Sequence, residues 1–182
     1  MENIIAEEFK QIKFKTIILN IIFILALYLT PTISHFLSLP IYLFEPMRII
    51  IVLAIVHTNR LNAIFLALTL PLFSYLFSGH PMFPKFMIVM MELFVNVLLY
   101  YYLLKFFSNH LLYNWKKIGF VFATSMMLST ILSKMLYYLI KIALIKIMLL
   151  ESEIISTPIY IQIIVAIALS VYILVFYRVK NK

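Results

Sequence analysis

Long apolar runs dominate the chain and decide its architecture before any single residue is weighed. A helix needs about 20 mostly apolar residues to cross the hydrocarbon core of a bilayer. Six stretches are expected to do so: Phe14 to Ser34, Ile41 to Val56, Leu61 to Phe77, Pro84 to Phe107, Ile118 to at least Leu139, and Thr157 to Tyr177. At 65% hydrophobic and 12% charged residues over 182, the chain is far too apolar for a soluble domain of this length. The expectation is an all-α, polytopic membrane helical bundle of about six transmembrane helices, forming one integral-membrane domain over residues 1–182. The second and third spans are short and separated only by His57-Thr58-Asn59-Arg60, so they either tilt little or form a tight helical hairpin.

Lysine and arginine set the orientation. Lys10, Lys13, Lys15, Arg60, Lys105, Lys116, Lys117, Arg178, Lys180 and Lys182 fall at one set of helix ends, which the positive-inside rule assigns to the cytoplasm. Both termini then lie inside, as an even number of spans requires. The net charge of +8 is read as this topology signal; the positive charges are spread over several ends, which argues against a nucleic-acid patch. Residues 1–13 read as a short amphipathic cytoplasmic segment, since acids precede the lysines and no small-residue cleavage site follows. Residues 140–156 read as an outer-side helical extension or an interfacial helix with Lys141 and Lys146 snorkelling. The expected location is a bacterial or archaeal cytoplasmic membrane.

Against this background the acidic residues stand out. The chain has no Asp, and Glu45 and Glu92 are its acids within apolar spans. An ionised group in hydrocarbon costs roughly 2.5 kcal/mol or more, so it is paired, wetted or functional. At 1.5 Å per residue, Glu45 and Arg48 lie roughly 6 and 10 Å below the outer end of the second span, and Glu92 and Asn96 about 12 and 18 Å down the fourth. Asn96 shares a face with Glu92. On the fifth span Ser125, Ser129 and Ser133 form a polar stripe, flanked by Thr130 and Lys134. Above them the loop Ser78-Gly79-His80-Pro81-Met82-Phe83-Pro84-Lys85 places a conformationally permissive glycine ahead of two stiffening prolines, with His80 and Lys85 adding titratable and cationic groups. The pattern predicts a pocket open to the outside and roofed by this loop.

Plainer readings stand beside it. Glu45 and Arg48 either meet a ligand or neutralise each other at i and i+3. Glu92 with Asn96 serves either a ligand or interhelical hydrogen bonding, and the serines also read as helix packing. Met87, Met90 and Met91 suit adaptable packing better than a metal. No cofactor is expected. Enzyme signatures are missing: there is no HExxH, no GxSxG, no aspartate pair and no phosphate loop, and cysteine is absent. What remains is ligand capture or a scaffolding role.

The segment from Leu70 to Tyr100 resembles the middle of the substrate-binding S components of energy-coupling factor (ECF) vitamin transporters. The elements that carry the likeness are Pro71, Ser78, Gly79, Pro81, Pro84, Met90, Met91, Glu92 and Leu93. The resemblance implies capture of a vitamin-like small molecule on the outer side. It also implies docking on a membrane scaffold protein driven by cytoplasmic ATPases. The family's docking face is a small-xxx-small pattern on the first helix; here only Ala26 and Thr30 have that spacing, a departure from the usual pair of alanines. Glu45, Arg48, His80, Lys85, Glu92, Asn96, Ser129, Ser133 and Lys134 are the expected substrate-binding residues. The alternative is a structural or assembly subunit of the MreD type with no small-molecule ligand, whose polar residues only hold helices together.

Overall fold

The structure is a computed structural model that describes residues 2–79, 81–111, 118–147 and 158–180. Helix α1 runs unbroken from Glu2 to Leu37, so the expected amphipathic segment and the first span are one element. A 3-10 turn at Ile41–Phe44 leads to α2 (Pro46–His57), followed by α3 (Arg60–Ser78), α4 (Lys85–Leu111), α5 (Ile118–Lys146) and α6 (Ile159–Lys180). Every helix but α2 is long and apolar enough to cross a membrane, giving five such segments among the described residues. This is a multi-pass membrane helical bundle.

The expected second span is not one helix. Pro46 has no amide hydrogen and suits the first position of a helix, so it starts α2 there and leaves Ile41–Phe44 outside it. The two pieces meet at Glu45, whose φ of 54° and ψ of 59° are left-handed. Glu45 therefore sits at a joint rather than within a helix. Its carbonyl accepts from the Arg48 amide at 2.9 Å, which begins the ladder of α2. After His57 only Thr58 and Asn59 intervene before α3, where Asn59 Oδ1 caps the helix by accepting from the Asn62 amide at 2.8 Å. The tight hairpin alternative is the one that forms.

Neighbouring side chains fix the directions. Asn20 and Asn62 exchange hydrogen bonds of 2.8 and 2.9 Å, so the middle of α1 lies beside the start of α3. His57 Nε2 and the Tyr172 hydroxyl share a hydrogen bond at 2.7 Å, bringing the far ends of α2 and α6 together. Phe122 stacks on Tyr177 at 3.8 Å between ring centroids, so α5 and α6 are antiparallel. Arg60 lies 5.4 Å from the Tyr101 ring centroid, which places the second half of α4 at the same end. Helices α1, α3 and α5 thus run one way and α2, α4 and α6 the other. The start of α1 and the finish of α6 share one end of the bundle, called here the terminal end.

Helix α2 is the core. Ile51, Val52 and Ala54 are fully buried. They meet Ala63, Leu66, Ala67 and Leu70 of α3, Val97 of α4, Met126 of α5 and Ile173 of α6 within one apolar cluster. A helix apolar all round is a central one. The alanines let backbones approach closely, which is how helices associate where lipid tails are as apolar as leucine. Helix α1 is the outlier: Phe23 and Leu27 are buried, while Ile21, Ile22, Leu25 and Tyr28 face outward.

Helix α3 stops at Gly79, whose φ of 68° is left-handed and whose amide donates to the Tyr75 carbonyl at 3.1 Å. A Cβ at Gly79 would meet nothing within 4 Å, so an alanine there is opposed only by backbone conformation. Gly79→Ala is expected to cost about 1 kcal/mol, read as a lowered unfolding midpoint in detergent; no change would mean that the turn relaxes freely.

Candidate functional site

At the end of the bundle opposite the termini, a cavity of about 300 Å³ opens between α1, α2, α3, α4 and α5. Its polar wall is built from four charged side chains. Glu45 Oε2 lies 2.9 Å from Arg48 Nε. Arg48 Nη2 is ion-paired with Glu92 Oε1. Lys134 Nζ lies 2.7 Å from Glu45 Oε1 and 3.1 Å from Glu92 Oε1. Acid and base alternate around a closed ring, Glu45–Arg48–Glu92–Lys134, with no net charge. Arg48 and Glu92 are almost dry, at 3% and 4% exposure, whereas Glu45 and Lys134 retain 13% and 18% and face the cavity mouth.

The elements that bring these groups together are distinct. Arg48 projects from the first turn of α2, and because α2 starts late, that turn lies inside the bundle. Glu45 is turned by its left-handed backbone. Glu92 comes from the second turn of α4, and Lys134 from the middle of α5. Taking two opposite charges out of water costs several kcal/mol per ion, recovered only when geometry and partners are good. The ring offers each charge two opposite neighbours. Glu45 Oε1 and Arg48 Nε are held by charge proximity without a well-angled hydrogen bond.

The rest of the lining is mixed. Lys85 enters at the start of α4 and is half-buried. Thr30, Ser74 and Ser78 supply hydroxyls, and Tyr42 and Tyr137 supply aromatic edges. Lys134 Nζ stands 5.0 Å from the Tyr137 ring centroid, close enough for a cation–π attraction. Leu27, Val89 and Leu93 form an apolar side.

Of the residues singled out from sequence, Glu45, Arg48, Lys85, Glu92 and Lys134 line the cavity. Asn96, Ser129 and Ser133 do not. They are fully buried between α4 and α5. Asn96 Nδ2 donates to Ser133 Oγ at 3.0 Å and to Thr130 Oγ1 at 3.4 Å, while Ser129 Oγ donates to the Met126 carbonyl of its own helix. Asn96 and Ser133 thus bond α4 to α5 one turn below the ring, while Ser129 bonds back within α5. The i+4 spacing gave the face correctly but not which neighbour the face meets. His80 lies outside the described residues; of the loop expected to roof the pocket, Ser78, Pro81 and Lys85 line the cavity.

Other expectations shift as well. The fifth helix, expected to reach at least Leu139, runs on to Lys146, the extended form of the two expected for residues 140–156; residues 148–157 lie outside the described part. Lys141 does not snorkel outward: it is 3% exposed, because it lies seven residues after Lys134 and shares its inward face. Ala26 is exposed on α1, and Thr30, one turn on, donates to the Ala26 carbonyl at 2.8 Å and lines the cavity. Tyr42, Ser74 and Tyr137 are additions to the expected lining, and Ser78 enters it from the expected roof loop. Ser74 and Ser78, one turn apart at the end of α3, carried a usable signal; Tyr42 did not, because it precedes the break at Glu45.

No protein-family model matches the chain, and neither a curated protein nor a solved structure does. Among the described residues, no group of three or more His, Cys, Asp or Glu side chains is placed to hold a metal ion.

Proposed function

We propose that the protein is a membrane-embedded solute-binding component of an ECF-type importer, taking a vitamin-like micronutrient into the cavity from the outer side of a bacterial or archaeal cytoplasmic membrane. In this reading it binds its solute without transforming it. Delivery runs through a membrane scaffold protein and cytoplasmic ATPases. One observation carries the reading: an open cavity at a single end of an otherwise apolar bundle, walled by the Glu45–Arg48–Glu92–Lys134 ring. A volume of about 300 Å³ is at the small end of the range for small-molecule sites, which combine an apolar lining with a few placed polar groups.

Sidedness follows from charge. Lys15, Arg60 and Lys105 belong to the terminal end, so the positive-inside rule makes that end cytoplasmic and the cavity end external. The resemblance of the Pro71–Leu93 segment to S components supports the same assignment. The test is thermal shift of the purified protein against a vitamin panel. A binding solute is expected to raise the unfolding midpoint, and Glu92→Gln is expected to weaken its binding at least tenfold, about the effect of one lost charged hydrogen bond. Unchanged affinity in Glu92→Gln would place the ligand elsewhere.

The structural or assembly reading has its own supporting observation. Every charge of the ring is matched within the ring, and Asn96 bonds α4 to α5, so the polar residues also account for helix cohesion. Under that reading Glu92→Gln lowers stability or partner binding and no solute is found.

A further inference from the structure

The ring leaves one cation over. Arg48 and Lys134 are matched by Glu45 and Glu92, but Lys85 lines the same cavity and has no ion-pair partner among the described residues. The chain has no Asp, and its remaining acids, Glu2, Glu7, Glu8, Glu151 and Glu153, fall in the first residues or in the segment 151–153. The described lining therefore carries three cationic side chains against two carboxylates, a net charge of +1. Lys85 is half-buried, so its charge is only partly answered by water.

Resting on the solute-binding reading, we infer that the cavity takes a small organic carboxylate of net charge −1, with its acid group at Lys85 and its body along the apolar side. The hydroxyls of Ser74 and Ser78, 3.3 Å apart at the end of α3, supply neutral hydrogen-bonding groups in the same cavity. Leu27, Val89 and Leu93 supply the surface for an apolar body. A phosphate monoester fits less well: it carries about −1.5 to −2 at neutral pH and leaves negative charge unmatched. A cationic solute would add to the excess of like charge, and a neutral one leaves Lys85 as it is. A single carboxylate brings the described wall to zero, and charge-assisted bonds of this kind are the strong ones in partly dry sites.

The experiment uses the full chain in detergent micelles. Three acids are compared with their uncharged analogues by thermal shift and calorimetry: nicotinate with nicotinamide, pantothenate with pantothenol, and biotin with biotin amide. In parallel, solutes that copurify with the protein are extracted and identified by mass spectrometry. The expected result is a carboxylate, in the extract or among the probes, that binds while its neutral analogue does not. Its affinity is expected to fall roughly tenfold in Lys85→Gln, to be kept within about threefold in Lys85→Arg, and to weaken as salt rises. A neutral or cationic solute bound equally well, or an unchanged affinity in Lys85→Gln, overturns the carboxylate assignment while leaving solute binding standing. No solute in the extract and no shift with any probe overturns the solute-binding reading together with it.

Discussion

Arg48→Met is expected to lower the unfolding free energy by about 3–5 kcal/mol, the range for removing one partner of a buried ion pair. The reason is arithmetic on charge. Without Arg48, the nearly dry Glu92 and the neighbouring Glu45 share Lys134 alone, which leaves an excess negative charge where water is scarce. Removing Glu92 alone leaves the opposite excess. Removing both, as Arg48→Met with Glu92→Leu, leaves the Glu45–Lys134 pair at 2.7 Å, so the remainder of the ring is again neutral. The double variant is therefore expected to be more stable than either single one, with a coupling of about 2 kcal/mol or more. Reversible unfolding in mixed micelles measures the cycle. Additivity to within about 0.5 kcal/mol would show that the ring is not an energetic unit.

A second large effect is expected from filling the cavity without touching its charges. Val89 lies on the apolar side, between Lys85 and Glu92 in sequence, and is only partly buried. Val89→Trp puts an indole where a solute would lie. Solute affinity is expected to fall about 100-fold or more, on the order of the 2.7 kcal/mol that such a factor represents. The unfolding midpoint without solute should move little, because the added ring occupies existing space rather than forcing the core apart. Isothermal titration of the variant against whichever solute binds the unaltered protein checks this. A retained affinity would place the solute outside the cavity. The pairing of the two predictions separates cohesion from binding: the ring variants change stability first, and the Val89 variant changes binding first.

The legible part of this molecule was its class and the meeting of its acids. Apolar runs predicted a helical membrane bundle, and the alternation of basic ends predicted that both termini share one end. Glu45, Glu92 and Lys134 come from three different elements, yet residue-by-residue depth put all three in the outer half of the bilayer. Local rules covered less than the contacts that followed. The spacing of Glu45 and Arg48 predicts a private i, i+3 pair, whereas Arg48 also reaches Glu92 across 44 positions of sequence. Pro46 signals a helix start, but the left-handed turn at Glu45 is set by how the 3-10 segment returns over the bundle, which is a tertiary matter. Likewise the serine stripe announced an inward face of α5. It could not announce that α4, with Asn96, covers that face before any cavity begins. The shortness of α2 was also hidden, since its apolar residues read continuously into those of the 3-10 turn.

The backbone at Glu45 offers a finer check on how the ring is assembled. A side chain in left-handed conformation costs roughly 1 kcal/mol that glycine does not incur. Glu45→Ala loses the carboxylate and keeps the backbone cost, while Glu45→Gly loses the carboxylate and is free of it. Thermal unfolding is expected to rank Glu45→Gly above Glu45→Ala, with both below the unaltered protein. The reverse order would mean that the joint is not left-handed in the membrane.

Solute capture is the central claim, and it is read most directly by mass spectrometry of what the protein carries. Full-length protein and Val89→Trp, purified side by side without added ligand, are denatured and their small-molecule extracts compared. The account predicts a solute near one per chain in the unaltered protein and its loss from the variant. Equal extracts from both, or no solute from either, would contradict it.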